Sequence, residues 1–196
     1  KAIEDVENIV KDIINERRRE GIDRGDLLSM LVFAEDEDGN GMSDQELRDQ
    51  SMTLFFAGHE TTAISLVWML YLMSQHPEVV VKMRAELDEH VGNRSLSVDD
   101  LGKLPYLTMV VKESMRILPA VWSFMKEPIE DVELGDYLIP KGSMIFISPY
   151  VTQHNPLYFP DPDEFRPERF TRENEKALPK GAYVPFSAGQ RICLGK

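Results

Sequence analysis

Three small groups of residues in this chain have the types and spacing to do chemistry. Cys193 is the only cysteine among 196 residues, and it stands in Phe186-Ser-Ala-Gly-Gln-Arg-Ile-Cys-Leu-Gly-Lys196. Gly189 and Gly195 flank it, with Arg191 two positions before the sulfur and Phe186 seven before. Glycines on both sides imply a backbone held close to something flat or bulky, or one driven through positive φ. An arginine near a cysteine favours the thiolate, the form that ligates metals, and offers a fork to an anionic group. The plain alternative is a small buried hydrophobe, the common fate of a free thiol.

The second group is Ala57-Gly-His-Glu-Thr-Thr62, inside a run that is apolar nearly all round. A helical glycine costs about 1 kcal/mol against alanine, and a buried glutamate is costlier still unless paired. Local rules broken together point to a functional site. The hydroxyl of Thr61 can donate and accept, and the carboxyl of Glu60 can relay protons from water. His59-Glu60 opens the zinc motif H-E-x-x-H, but the fifth position is Ala63 and the motif fails. The plain alternative is a helix bent by threonine bonding back to the preceding turn. The third group is Glu113 and Arg116, three apart and on one helix face. Taken alone, such a pair is a surface contact worth about a few tenths of a kcal/mol.

Four motifs run in order over residues 43–196: A-G-x-E-T-T, E-x-x-R, P-E-R-F and F-x-x-G-x-R-x-C-x-G. Together they resemble the cytochrome P-450 superfamily, the haem-thiolate monooxygenases. The resemblance implies a mainly α fold with a small β component, the C-terminal part of the P-450 fold, with residues 1–196 a single incomplete domain. It makes Cys193 the axial ligand of haem b iron, in a loop shaped by Phe186, Gly189, Arg191 and Gly195. A thiolate ligand pushes electron density onto iron and favours O–O cleavage. Ala57 and Gly58 leave space over the haem, and Glu60 and Thr61 form the acid–alcohol pair that delivers protons. Glu113, Arg116 and Arg169 make a structural triad that steadies the cysteine loop. Lys126 stands where most members have an arginine facing a haem propionate; lysine keeps the charge and loses the fork. Ala120, Val121 and Trp122 fall near the substrate.

The implied reaction inserts one oxygen atom from O2 into a small hydrophobic organic substrate. Electrons come from NAD(P)H through a ferredoxin or flavoprotein reductase. The alternative within the family is a haem-thiolate isomerase or dehydratase acting on a peroxide, which the intact Glu60-Thr61 pair disfavours. The chain by itself is expected to bind haem poorly and turn over nothing.

The elements that must position these groups are legible in outline. Residues 2–20 read as an amphipathic helix, with Ile3, Val6, Val10, Ile13 and Ile14 on one face, a solvated Arg17-Arg18-Arg19 end and a stop at Gly21. Residues 26–34 read as a short helix capped by Asp26. Residues 36–47 nearly fit a calcium-binding loop, with Asp36, Asp38, Asn40 and Gly41 in register. Leu47 sits where a bidentate Glu is required, so ordinary turn chemistry competes. Residues 43–74 read as a long helix with a Ser43–Glu46 capping box, buried in a larger protein. Helices follow over 78–91 and 105–117, after Pro77 and before Pro119, with a short capped segment at Ser97. Residues 132–142 and 143–151 read as strands and turns, and the proline-rich stretch 152–185 as irregular.

Charge narrows the partners. With 22 basic and 34 acidic residues the net charge is −12, and nucleic acid needs a basic footprint. A hydrophobic content of 42% supports a packed core. No apolar run is long enough to span a bilayer. The location expected is cytoplasmic for a soluble bacterial-type member and membrane-anchored if an upstream anchor exists.

Overall fold

The computed structural model describes the backbone of residues 1–196 and all side chains except those of Ala2 and Ile3. The expected apolar contribution of Ile3 therefore lies outside the described residues. The chain forms two compact units, Lys1–Glu60 and Thr61–Lys196, with the division inside a long helix.

The first unit opens with α1 (Ala2–Glu20), which Gly21 ends in the left-handed region at φ 63. Ile14 is buried, but Ile13 remains exposed. One expectation fails here: Arg17 is not solvated. Its guanidinium donates to both oxygens of Asp26, at 2.7 and 2.9 Å, and to Ser29 Oγ. The reason is a cap shared between helices. Asp26 accepts from Ser29 N–H at 2.8 Å to start α2 (Leu27–Val32), and Arg17 supplies the countercharge. Arg17 and the Ser29 amide hold the Asp26 carboxyl well below the usual carboxylate range.

The calcium reading of 36–47 is overturned. Asp36 spends its carboxylate on its own turn, accepting from Asp38 N–H at 2.9 Å and Asn40 N–H at 2.8 Å. Leu47 is fully buried, and Glu46 is tied to Ser43 N–H at 2.9 Å and Ser43 Oγ at 2.7 Å. That capping box opens α3 (Asp44–Gln75). Among the described residues no group of three or more His, Cys, Asp or Glu side chains is arranged to hold a metal ion. Among them, too, no helix is long and apolar enough to cross a membrane.

The second unit holds α4 (Pro77–His90), a 3-10 turn (Val98–Lys103) and α5 (Pro105–Ile117). Proline occupies the first turn of both α4 and α5, where no backbone donor is missed. Two small antiparallel sheets follow. β1 (Phe124–Lys126) pairs with β4 (Ile145–Ile147), and between them β2 (Val132–Leu134) pairs with β3 (Tyr137–Ile139). The β-rich run expected to reach residue 151 stops early. Ser148 Oγ caps Val151 N–H and Pro149 opens α6 (Pro149–Gln153), so local capping overrides the β-branched composition. Two short helical turns also interrupt the stretch expected to be irregular: a 3-10 turn at Pro167–Phe170 and α7 (Arg172–Ala177).

Two apolar clusters set the frame of this unit. Leu72, Val79, Val110, Ile117 and Phe165 pack together, and Phe159, Phe170 and Ala182 form a second cluster with Tyr183 against it. Residues of α5 join both, with Val110 in the first and Met109 against the second. The packing of α5 between these clusters is what buries the charges it carries.

Candidate functional site

Two of the site's buried charges sit on α5. Glu113 and Arg116 are both wholly buried, so the surface-pair reading of this E-x-x-R does not hold. Arg116 Nε donates to Glu113 Oε2 at 2.7 Å and Nη2 to Oε1 at 2.9 Å, a two-pronged pair. Two further Arg116 donors go to the backbone, Nη1 to Gln153 O at 2.9 Å and Nη2 to Glu164 O at 3.2 Å. The guanidinium also lies 5.2 Å from the Phe159 ring centre. Glu113 Oε1 accepts Arg166 N–H at 2.9 Å as well.

Arg169 joins from the 3-10 turn Pro167–Phe170. Its Nε lies 3.3 Å from Glu113 Oε1, an ion-pair contact without the alignment of a hydrogen bond. Its Nη2 donates to Asp161 O at 2.6 Å. Burial lowers the pKa of this guanidinium, and the Glu113 charge opposes that shift. The structure thus brings Glu113, Arg116 and Arg169 together from spans 53 residues or more apart, counting the Arg166 bond. A buried carboxylate needs this many donors, because an unmatched charge in the core is costly.

The cysteine loop follows. Ser187 and Gly189 both take positive φ, 61 and 85. Ser187 N–H bonds to Val184 O at 3.2 Å and Ile192 N–H to Gly189 O at 3.2 Å. Cys193 N–H then reaches back to Phe186 O at 3.0 Å, which closes the loop. Gly189 therefore serves backbone conformation. A Cβ on Gly195 would meet Cys193 Sγ at 3.8 Å, ordinary contact, so Gly195 is not forced by the protein itself. Cys193 is exposed. Within these 196 residues its sulfur is not packed as a buried hydrophobe. Arg191 is exposed and Phe186 half-buried.

The root of the loop is fixed by residues that sequence reading missed. Gln153 is fully buried; its Nε2 donates to Met115 O at 3.1 Å and Arg116 O at 3.0 Å, and its Oε1 accepts Val184 N–H at 3.3 Å. Tyr183 donates to Lys112 O at 3.0 Å and packs 4.6 Å from the Phe170 ring, with burial raising its phenol pKa. No local signal marks either residue; a buried side-chain amide is visible only once its distant partners are known.

Ala57, Gly58 and Glu60 lie on α3 in the first unit, and all three are exposed. Thr61, next along the same helix, is half-buried and opens the second unit. A Cβ at Gly58 would meet nothing within 4 Å. Lys126 is exposed at the end of β1, paired with Ile145. Val121 and Trp122 are exposed just before that strand.

Comparison with known proteins decides what this arrangement belongs to. The family model described as cytochrome P450 matches residues 1–196. The chain belongs to the cytochrome P450 family. Mouse (Mus musculus) "Cytochrome P450 4V2" is 42% identical over 204 residues, covering 96% of this chain and 39% of the relative. "Cyclooctat-9-en-7-ol 5-monooxygenase" of Streptomyces melanosporofaciens is 44% identical over 188 residues, covering 95% of this chain and 41% of the relative. Among solved structures, a retinoic acid-bound cyanobacterial CYP120A1 superposes with a TM-score of 0.90 at 34% identity, covering 96% of this chain and 44% of that one. The haem domain of cytochrome P450DA gives 0.89 at 33%, covering 98% and 44%. The chain therefore spans about two fifths of the length of the curated P450s it matches. The mainly helical fold with small antiparallel sheets is that of part of the P450 fold.

P450 membership implies haem, and the residues present fit one. A single exposed sulfur on a loop closed by its own backbone bonds is the donor an axial thiolate requires. The exposed ammonium of Lys126 has the charge to meet a propionate.

Proposed function

We propose that the complete protein is a haem-thiolate monooxygenase, with Cys193 as the axial ligand and these 196 residues as the C-terminal portion of its catalytic domain. The observation that carries this reading is the exposed Cys193 on a loop whose own amide is already bonded to Phe186 O, leaving the sulfur for a ligand. Haem b, when bound, supplies the one-electron and dioxygen chemistry that no side chain offers. The chain's residues do the rest. Phe186, Gly189, Arg191 and Gly195 shape the loop that presents the sulfur, and Lys126 receives a propionate. Glu60 and Thr61 hold and pass protons between water and the reacting centre, while Ala57 and Gly58 keep side-chain bulk away from it. The triad of Glu113, Arg116 and Arg169 keeps the loop's support rigid.

The substrate class follows from relatives whose printed names concern largely hydrocarbon molecules, cyclooctat-9-en-7-ol and retinoic acid. A small hydrophobic organic substrate is therefore proposed, with NAD(P)H as the electron source through a ferredoxin or flavoprotein reductase. The test is Cys193→Ala in the complete protein. The thiolate-type carbon monoxide spectrum and NAD(P)H-dependent oxygen uptake should both vanish. Survival of either would end the assignment.

A further inference from the structure

We infer that Gln153 is a positioning residue for the cysteine loop, coupling the buried end of α5 to the loop's root. This rests on the proposed role of Cys193. The last carbonyls of a helix have no partner inside it and must find one elsewhere. At the end of α5 the carbonyls of Met115 and Arg116 both take the Gln153 side-chain amide, at 3.1 and 3.0 Å. The other half of the same amide accepts Val184 N–H at 3.3 Å. Gln153 O accepts Arg116 Nη1 at 2.9 Å, so side chain and backbone are both committed to the arginine of the pair.

Val184 is where the loop begins. Its carbonyl accepts Ser187 N–H at 3.2 Å, and that turn delivers Phe186, whose carbonyl accepts Cys193 N–H at 3.0 Å. A chain of named bonds thus runs from Arg116 through the Gln153 amide and Val184 to the cysteine. The amide is suited to this because it donates twice and accepts at one planar group. Gln153 has no exposure, so water cannot replace what it supplies. An apolar side chain of like size would orphan two carbonyls and one N–H at once.

The experiment uses the full-length holoprotein and three variants. Gln153→Met removes all three bonds at similar volume. Gln153→Glu is the conservative variant: a carboxyl buried against carbonyls is held protonated, so it still accepts and still donates once. Val79→Ala, in the first apolar cluster and on α4, which none of these bonds touches, reports general loosening. The readouts are amide hydrogen exchange over residues 184–193 and the fraction of haem showing the thiolate-type carbon monoxide spectrum. Gln153→Met should speed exchange across 184–193 by about tenfold or more, the size of a lost buried hydrogen bond, and lower the thiolate fraction. Gln153→Glu should recover most of the protection. Val79→Ala should lower the melting temperature without a loop-specific change. If Gln153→Met fails to fold, Gln153→Glu decides: loop exchange that matches wild type while the end of α5 opens would overturn the coupling. Loop exchange unchanged in Gln153→Met, or raised only as much as in Val79→Ala, would also overturn it. If wild type itself lacks the thiolate spectrum, the assignment of Cys193 fails, and the exchange data still judge Gln153 on their own.

Discussion

A carboxylate with no solvent exposure is tolerated in this protein because four donor contacts converge on it. Glu113 meets Arg116 twice, Arg166 N–H once and the Arg169 guanidinium at 3.3 Å. Removing one charge of such a set leaves the others uncompensated, which typically costs about 3–5 kcal/mol. Glu113→Gln should therefore lose stability on that scale in chemical denaturation, and a loss under about 1 kcal/mol would show the pair to be dispensable. Cys193→Ala is the opposite case. An exposed side chain away from such features moves stability by about 0.5 kcal/mol at most. Without haem, its denaturation midpoint should match wild type; a large drop would mean that the sulfur packs. The contrast separates residues that hold the site from the one that meets the ligand. It also marks how far sequence reading reached. Glu113, Arg116 and Arg169 were legible because their spacing and neighbours form motifs. Gln153 and Tyr183 were not, since their partners lie 31 to 71 residues away and nothing local betrays them.

At the scale of elements, ends were the most legible feature. Pro77 and Pro105 open α4 and α5, Gly21 closes α1, and the Ser43–Glu46 box opens α3, because each effect is confined to a few neighbouring residues. Composition misled where a cap opposed it: Ser148 and Pro149 turn a β-rich run into α6. It misled again at Arg17, where a helix 12 residues upstream of Ser29 lends its charge to the next helix's cap. The 3-10 turn Val98–Lys103 offers a quantitative test. Asp100 accepts Ser97 N–H at 3.0 Å and both Arg94 terminal nitrogens at 2.6 Å. Those partners hold its carboxyl well below the usual carboxylate range. A depressed folded-state pKa adds stability that is present above the unfolded value, about 3.9, and lost as pH falls below it. Melting temperature should therefore fall on acidification below about pH 4, with Asp26 and Asp36 contributing in the same direction. Asp100→Asn should be less stable at neutral pH and lose less on acidification. An unchanged acid slope in that variant would place the effect elsewhere. Ser97→Ala should cost about 1 kcal/mol at neutral pH as a lost cap.

On the scale of the whole chain, the long helix poses the remaining physical problem. Its sequence is apolar nearly all round, which led to the expectation of burial. In these 196 residues Phe55, Phe56, Leu66, Val67, Leu70 and Tyr71 are each at least half exposed. Several large exposed apolar side chains grouped on one element mark a face that binds something or aggregates. Each fully covered large side chain of this type is worth about 1.5–3 kcal/mol, so covering six outweighs most single contacts in the fold. The matched P450s are more than twice as long as this chain, and their additional chain is the proposed cover. The 196-residue chain on its own should therefore bind a hydrophobic dye strongly and sediment as associated species at micromolar concentration. Leu66→Gln with Leu70→Gln, one turn apart on α3, should reduce both signals without lowering the melting temperature of the clusters around α5. The complete protein should show neither signal and should tolerate the double substitution poorly, because there the same two positions face packed chain and not water. A monomeric, dye-silent 196-residue chain would mean that the helix covers itself, and the expectation of a larger protein around α3 would lose its physical basis.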